Sequence, residues 1–265
     1  EFFRLAGESY RKIRNTLRFL LSNLHDFEPE RDRVPLEEIE PHGVDGWILG
    51  HAAQVERHVR DALHRYAFRE AHLALFDFCN DAVSATYCVA VKDRLYCDAP
   101  DSPRRRRCQT TVHVLCDLLC RLLAPFVPHT AAEAFTELHG ADARLFESAH
   151  LGLSFESAPE WPAVMAQMEG VLKALEAAKE RGIENPLDAG VVVPDPEDRF
   201  LPFLGDFADL CGVSRARFLH GLGEIEVEDL REEPRCERSW KRDGTVSLRS
   251  DGGMLSERDA QALGL

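Results

Sequence analysis

The chain has 265 residues, of which 45% are hydrophobic and 29% charged. That apolar content can fill a core, so wholesale disorder is excluded, and the length allows two domains or one large one. A net charge of −14 excludes a uniformly basic, non-specific nucleic-acid binder and leaves room only for a confined basic track.

No apolar run reaches the roughly eighteen residues that a transmembrane helix needs, so no membrane partner is expected. The opening "EFFRLAGESYRK" has neither an initiator Met nor the continuous apolar segment of a signal peptide. It starts inside a helical pattern, which suggests a piece of a longer protein. Eight cysteines are scattered through apolar helical stretches without any C-x-x-C pair. Reduced thiols in a cytoplasmic protein fit that scatter better than a disulfide framework.

In chain order, residues 8–25 read as a helix with Tyr10, Ile13, Leu17, Leu20, Leu21 and Leu24 on one stripe. Arg11, Arg14 and Arg18 share a neighbouring flank. "FEPERDRVPLEEIEPHG" reads as a loop, with three prolines and dense charge. A second helix is expected over 45–66, with Asp45 as its N-cap, and a third over 69–91, apolar on most sides. After the break "CDAPDSP", a fourth helix covers 105–123 and stops at "APFVP". Thr130 and Glu133 have capping-box spacing for a short fifth helix over 131–138. Together these predict an antiparallel helical bundle.

The character changes after residue 140. "GADARLFESAHLGLSFESAPEWP" reads as a linker and "AVMAQMEGVLKALEAAKERG" as a connecting helix rich in helix formers. "AGVVVPDP" and "EIEVEDL" read as strands around a helical "FLPFLGDFADLCG". The expected fold class is therefore mainly α: a helical bundle over 1–140, a linker and connecting helix over 141–182, and a small α+β domain over 183–265.

No catalytic pattern is present. The chain lacks a phosphate-cradling Gly-rich loop, a G-x-S-x-G elbow and an H-E-x-x-H helix. His113, Cys116 and Cys120 share a helix side, but small thiols in a Leu-rich helix read as core. Arg104, Arg105, Arg106 and Arg107 stand at a helix start, where positive charge opposes the macrodipole by about 0.3–1 kcal/mol each. Something must offset that, either an acidic partner such as Asp98 or Asp101 or an external phosphate.

The stretch "ESYRKIRNTLRFLLSNLHDFEP" resembles the start of the anticodon-binding region of isoleucyl-tRNA synthetases. The resemblance continues, in order, through "DGWIL", "YAFREAHLALFDFCNDAVSATY", "VKDRLYCDAPDSPRRRRCQT", "LAPFVPHTAAEAF" and "VLKALEAAKERGIENPLDAGVVV". It covers nearly the whole chain and weakens over 140–165 and 195–230. It implies a helical anticodon-binding domain, then a small C-terminal domain, in an enzyme that joins isoleucine to its tRNA using ATP and Mg. That enzyme's nucleotide-binding domain carries HIGH and KMSKS signatures, and an inserted domain edits mischarged valine. Neither signature occurs in this chain. The implied partners are the anticodon stem–loop of tRNA(Ile) and catalytic and editing domains outside this chain, in a cytoplasmic monomer.

Under the resemblance, Lys12, Arg14, Arg18, Lys92, Arg94, Arg104, Arg105, Arg106 and Arg107 become candidates for phosphate contacts. Asn15 and Gln109 become candidates for base or ribose contacts. "KDRLYCD" reads equally as an internal network that closes the bundle. Many bacterial members of the family end in a zinc knuckle of the form C-x-R-C-W followed by C-x-x-C. Here the matching positions are Cys236, Ser239, Ser256 and Asp259, in "CERSW" and "LSERD". One thiol, two hydroxyls and one carboxylate make a poor zinc site, so loss of the metal is expected and no cofactor is assigned to the chain. The cost is about 10–16 kcal/mol of metal-linked folding energy. Packing of Trp240, Val246, Leu248, Met254 and Leu255 is expected to compensate. Trp240 either fills that core, which its large apolar area favours, or offers a stacking face to a base. A free-standing RNA-binding factor derived from such an enzyme, or a helical scaffold binding protein through its acidic surface, stay open as alternatives.

Overall fold

A computed structural model describes residues 2–148 and 151–265. The expected linker's positions 149 and 150, and the first residue of the chain, lie outside the described residues. The chain groups into two compact units, one of residues 1–41, 45–88 and 106–157, the other of 42–44, 89–105 and 158–265.

The first unit is helical. Helix α1 (Phe2–Ser22) buries Ile13, Leu17 and Leu20 and packs on α7 (Pro128–His139). A single turn, α2, covers Pro29–Asp32. Helix α3 (Val44–His64) buries Ile48, Ala52, Val55, Val59 and Ala62, the stripe its four-and-three spacing predicts. Asp45 is not its cap. The helix begins one residue earlier, and the Asp45 carboxylate instead accepts a 2.6 Å bond from the buried Tyr87 hydroxyl.

The expected helix over 69–91 is three consecutive pieces: α4 (Phe68–Asp77), a π-helical stretch (Phe78–Tyr87) and α5 (Cys88–Cys97). The wider turns are visible in side chains too, since Thr86 Oγ1 donates to the carbonyl of Asp81, five residues back, at 2.9 Å. Periodicity over such a run reads as one helix, because a π stretch shifts the stripe without interrupting it. Helix α6 (Pro103–Leu123) is the most enclosed, with Val112, Leu115, Leu118, Leu119 and Leu122 all buried. At α7 the expected capping box does not form. The helix starts at Pro128, the Thr130 hydroxyl pairs with Tyr10 at 2.9 Å, and Glu133 takes Arg14. Proline near the first helical position is pre-organised for the start and displaces the signal two residues further on.

In the second unit, α8 (Trp161–Ala178) leads to β1 (Ala189–Pro194), a run of apolar residues buried on both faces. It is the centre of a three-stranded sheet of order β2-β1-β3. Strand β2 (Arg215–Leu219) follows α9 (Leu204–Cys211) and runs parallel to β1, with Val191 opposite Ala216; β3 (Glu226–Asp229) is antiparallel, with Val191 opposite Val227. Strand β2 escapes sequence reading, because "RARFL" has too little apolar alternation to stand out. The chain then forms a small hairpin, β4 (Ser247–Leu248) with β5 (Met254–Leu255), and ends in α10 (Glu257–Leu263).

Each of the eight cysteines is buried and outside any disulfide. Burial pushes the Cys79 and Cys211 thiols up to about 12, so they stay protonated and behave as small hydrophobes. Among the described residues, no helix is long and apolar enough to cross a membrane.

Candidate nucleic-acid interface

Helix α1 presents Lys12, Arg14, Asn15 and Arg18 to solvent while its Leu/Ile stripe faces inward. The Lys12 ammonium lies 5.6 Å from the centroid of Phe76. Arg14 donates to Glu133 at 2.8 Å, an exposed pair that solvent and salt screen.

The arginine run resolves differently at each position. Arg104 forks onto both oxygens of Asp98, at 2.8 and 2.7 Å. Arg105 is buried and donates to the carbonyls of Leu95 and Pro100. Arg106 donates to the Asp26 carbonyl and to the Gln109 side chain, at 3.0 and 2.8 Å. Arg107 is half-buried. The offset for positive charge at this helix start is thus supplied by the chain's own acids and carbonyls. Gln109 is 0% exposed, and its amide nitrogen donates to the Asn23 carbonyl and to Asp26. A side chain so enclosed cannot reach a ribose or base.

Arg94 is likewise an interior residue. It is 1% exposed and donates to Asp206 at 2.7 Å and to Asp209 at 3.1 and 3.2 Å. Asp209 also receives the Lys241 ammonium at 2.5 Å, and Lys241 sits 3.2 Å from Asp93. Burial works to raise the Asp209 carboxyl, but the Lys241 and Arg94 charges outweigh it and hold it below the usual range. Burial works to lower the Lys241 ammonium, and Asp209 and Asp93 outweigh it in turn. "KDRLYCD" is therefore an internal network at Asp93, Arg94 and Asp98, while Lys92 between its neighbours points to solvent.

The second unit, to which residues 89–105 and therefore all but the first residue of α5 belong, holds a cleft of about 510 Å³ beside that helix. Val89, Lys92 and Tyr96, spaced by three and four, form one wall; Arg238, Trp240 and Lys241 form the other. Tyr96 is 56% exposed and Trp240 57%. Trp240 is not the core residue its size suggested. Its backbone takes a left-handed φ of 63°, uncommon for a bulky residue, and its ring lies at the rim with the Arg235 guanidinium 5.7 Å from the ring centroid. Leu248 is also outside, 69% exposed. The local core is instead Cys236, Val246, Leu255 and Ala260, with Met254 packed against them.

The four positions matching knuckle ligands do converge. Asp259 Oδ2 lies 2.9 Å from Cys236 Sγ, 2.6 Å from Ser239 Oγ and 3.0 Å from Ser256 Oγ. Ser256 is also the N-cap of α10, accepting the Asp259 backbone N–H at 3.2 Å. The S-x-x-D spacing of Ser256 and Asp259 is a helix-start signal as well as a pair of knuckle positions. Among the described residues, no group of three or more His, Cys, Asp or Glu side chains is arranged to hold a metal ion.

The described residues form a mainly helical part and a small α+β part, with the exposed rings of Tyr96 and Trp240 lining the cleft together with Lys92 and Arg238. The chain belongs to the family "Anticodon-binding domain of tRNA ligase", whose profile matches residues 45–191. Several similar relatives are isoleucine–tRNA ligases. It is 36% identical over 236 residues to the isoleucine–tRNA ligase of Brevibacillus brevis, covering 84% of this chain and 25% of the relative. It is 32% identical over 258 residues to that of Thermotoga neapolitana, 88% of this chain and 27% of the relative. For Petrotoga mobilis the figures are 33% over 275 residues, 97% of this chain and 30% of the relative. The chain thus spans between a quarter and three tenths of the length of these isoleucine–tRNA ligases.

Proposed function

We propose that this chain is the part of an isoleucine–tRNA ligase that grips the anticodon stem–loop of tRNA(Ile). The whole protein would attach isoleucine to that tRNA using ATP and Mg, with its catalytic and editing sites in domains outside this chain, as a cytoplasmic monomer. The helical part over 1–140 and the C-terminal part over 183–265 would share the recognition, joined by 141–182. The observation that carries this reading is the cleft beside α5. Two exposed aromatic rings, Tyr96 and Trp240, stand next to Lys92 and Arg238 in a protein whose net charge is −14. Unstacked anticodon bases are bound by stacking on aromatic faces with cations holding the backbone, and each stacked base is worth about 1–3 kcal/mol. Lys12, Asn15 and Arg18 are the exposed candidates on α1; Lys92, Arg238 and Trp240 are those of the cleft. Arg94, Arg105 and Gln109 are structural. The donors at Cys236, Ser239, Ser256 and Asp259 support a C-terminal unit that works without zinc.

The test is binding of the tRNA(Ile) anticodon stem–loop to the purified chain across a salt series. The expected result is affinity that falls steeply with salt, by a slope reporting a few phosphate contacts, and that drops about tenfold or more in Trp240→Ala. A folded chain that fails to bind the stem–loop at low salt refutes the reading and favours a protein-binding scaffold.

A further inference from the structure

The chemistry of the converged donors does not fit zinc. Two of the four groups are neutral hydroxyls, which are poor zinc ligands. The point where the thiol and both hydroxyls converge is already filled by Asp259 Oδ2, at 2.9, 2.6 and 3.0 Å. The carboxylate is 0% exposed, and its other oxygen accepts from Arg258 at 3.0 Å. A cation placed among these groups would have to displace their hydrogen bonds to Asp259.

We propose that the Asp259 carboxylate replaces a metal ion as the organising centre of the C-terminal hook, and thereby positions Arg238 and Trp240 at the cleft. A buried anion with three neutral donors on one oxygen and a guanidinium on the other can gather four groups around one centre as a metal ion gathers its ligands. It ties three segments together: the turn at 236–240, the start of α10, and, through Arg258, helix α5. Arg258 spans from Asp259 to both oxygens of Asp93, and Asp93 also holds Lys241. Asp93 lies between Lys92 and Tyr96, and Lys241 follows Trp240, so the ion chain fixes both walls of the cleft to the hub. The turn itself is closed by backbone bonds from Trp240 N–H to the Cys236 carbonyl at 3.0 Å and from Cys236 N–H to the Lys241 carbonyl at 2.9 Å. These hold the left-handed conformation that aims the Trp240 ring outward. Asp259 is thus a positioning residue. Its role at the cleft rests on the anticodon-binding reading; its role as a metal substitute does not.

The experiment compares the purified chain, Asp259→Asn and the triple variant Ser239→Cys, Ser256→Cys, Asp259→Cys by zinc content, amide hydrogen exchange and stem–loop affinity. The parent chain should contain no stoichiometric zinc, and a chelator should leave exchange at Cys236, Trp240 and Ser256 unchanged. Asp259→Asn keeps the shape but loses the charge and half the acceptor capacity. It should speed exchange at those amides by about tenfold or more and weaken the stem–loop by a similar factor. The triple variant should bind one zinc per chain and recover protection only when loaded; full protection of those amides without zinc overturns an organising centre at this position. Should Asp259→Asn fail to fold, Ser239→Ala removes one donor and should produce a smaller acceleration confined to 236–241. One tightly held zinc in the parent chain overturns the proposal, as does unchanged exchange in Asp259→Asn. Neither readout involves RNA. Absence of stem–loop binding by the parent chain would sink the anticodon reading while leaving the hub standing.

Discussion

Lys92 and Arg94 are two residues apart on α5 and carry the same charge, yet the structure assigns them opposite jobs. Arg94→Met is the decisive perturbation. Methionine fills much of the space but leaves Asp206 and Asp209 without the guanidinium that reaches them at 2.7 and 3.1 Å. Breaking a buried pair from one side costs about 3–5 kcal/mol. Asp209 keeps Lys241 at 2.5 Å, so the expected loss is at the low end, about 3 kcal/mol. Lys92→Ala removes an exposed side chain and should change stability by no more than about 0.5 kcal/mol. The assay is urea denaturation followed by far-UV circular dichroism, with the slope checked for constancy, alongside stem–loop affinity. Asp209→Asn should cost stability by itself but less in the Arg94→Met background, with a coupling of about 1–3 kcal/mol. An Arg94→Met protein within about 1 kcal/mol of the parent, or a Lys92→Ala protein that loses stability rather than affinity, would refute the division into interior and exposed cations.

Three further outcomes are expected. His113 is held at about 4 by burial, with His139 and Arg33 adding to it, against an ordinary value of 6.5. It is neutral in the fold, and the unfolded chain takes up the proton first, so stability should fall by about 3 kcal/mol as pH drops from 6.5 to 4. His113→Gln should remove that part of the pH dependence in thermal melts, whereas an unchanged slope would rule His113 out as its source. Gly46→Ala should destabilise by about 1–3 kcal/mol, because the added carbon would run into the Glu40 carbonyl oxygen, a backbone atom that cannot swing aside. Tyr87→Phe should cost about 1–3 kcal/mol in the same denaturation assay, because the buried Asp45 carboxylate loses its 2.6 Å donor.

Helix positions were legible because burial stripes repeat every three or four residues: α3, α6 and the apolar strand β1 fall close to where their patterns place them, whereas α1, expected over 8–25, runs from Phe2 to Ser22 and leaves Leu24 beyond its end. Helix starts were less legible. Asp45, Thr130 and Glu133 have the right chemistry for caps, but each is taken by a partner far along the chain: Tyr87, Tyr10 and Arg14. A cap signal is local, and a long-range partner outbids it without leaving a mark in the neighbouring residues.

The candidate site divides the same way. By itself, the sequence determined which residues carry charge, which aromatics exist, and that the four knuckle positions hold one thiol, two hydroxyls and a carboxylate. Composition and order settle those matters. Only the tertiary structure decided that Arg94 faces two aspartates while Lys92 faces water, that Gln109 is sealed in, and that Trp240 stands at a cleft rim rather than in a core. Burial and pairing depend on which segments meet, and Arg94 meets residues more than a hundred positions away. The same holds at Asp259: its charge can be read from one letter, but its place at the meeting point of Cys236, Ser239 and Ser256 exists only once the hook has closed.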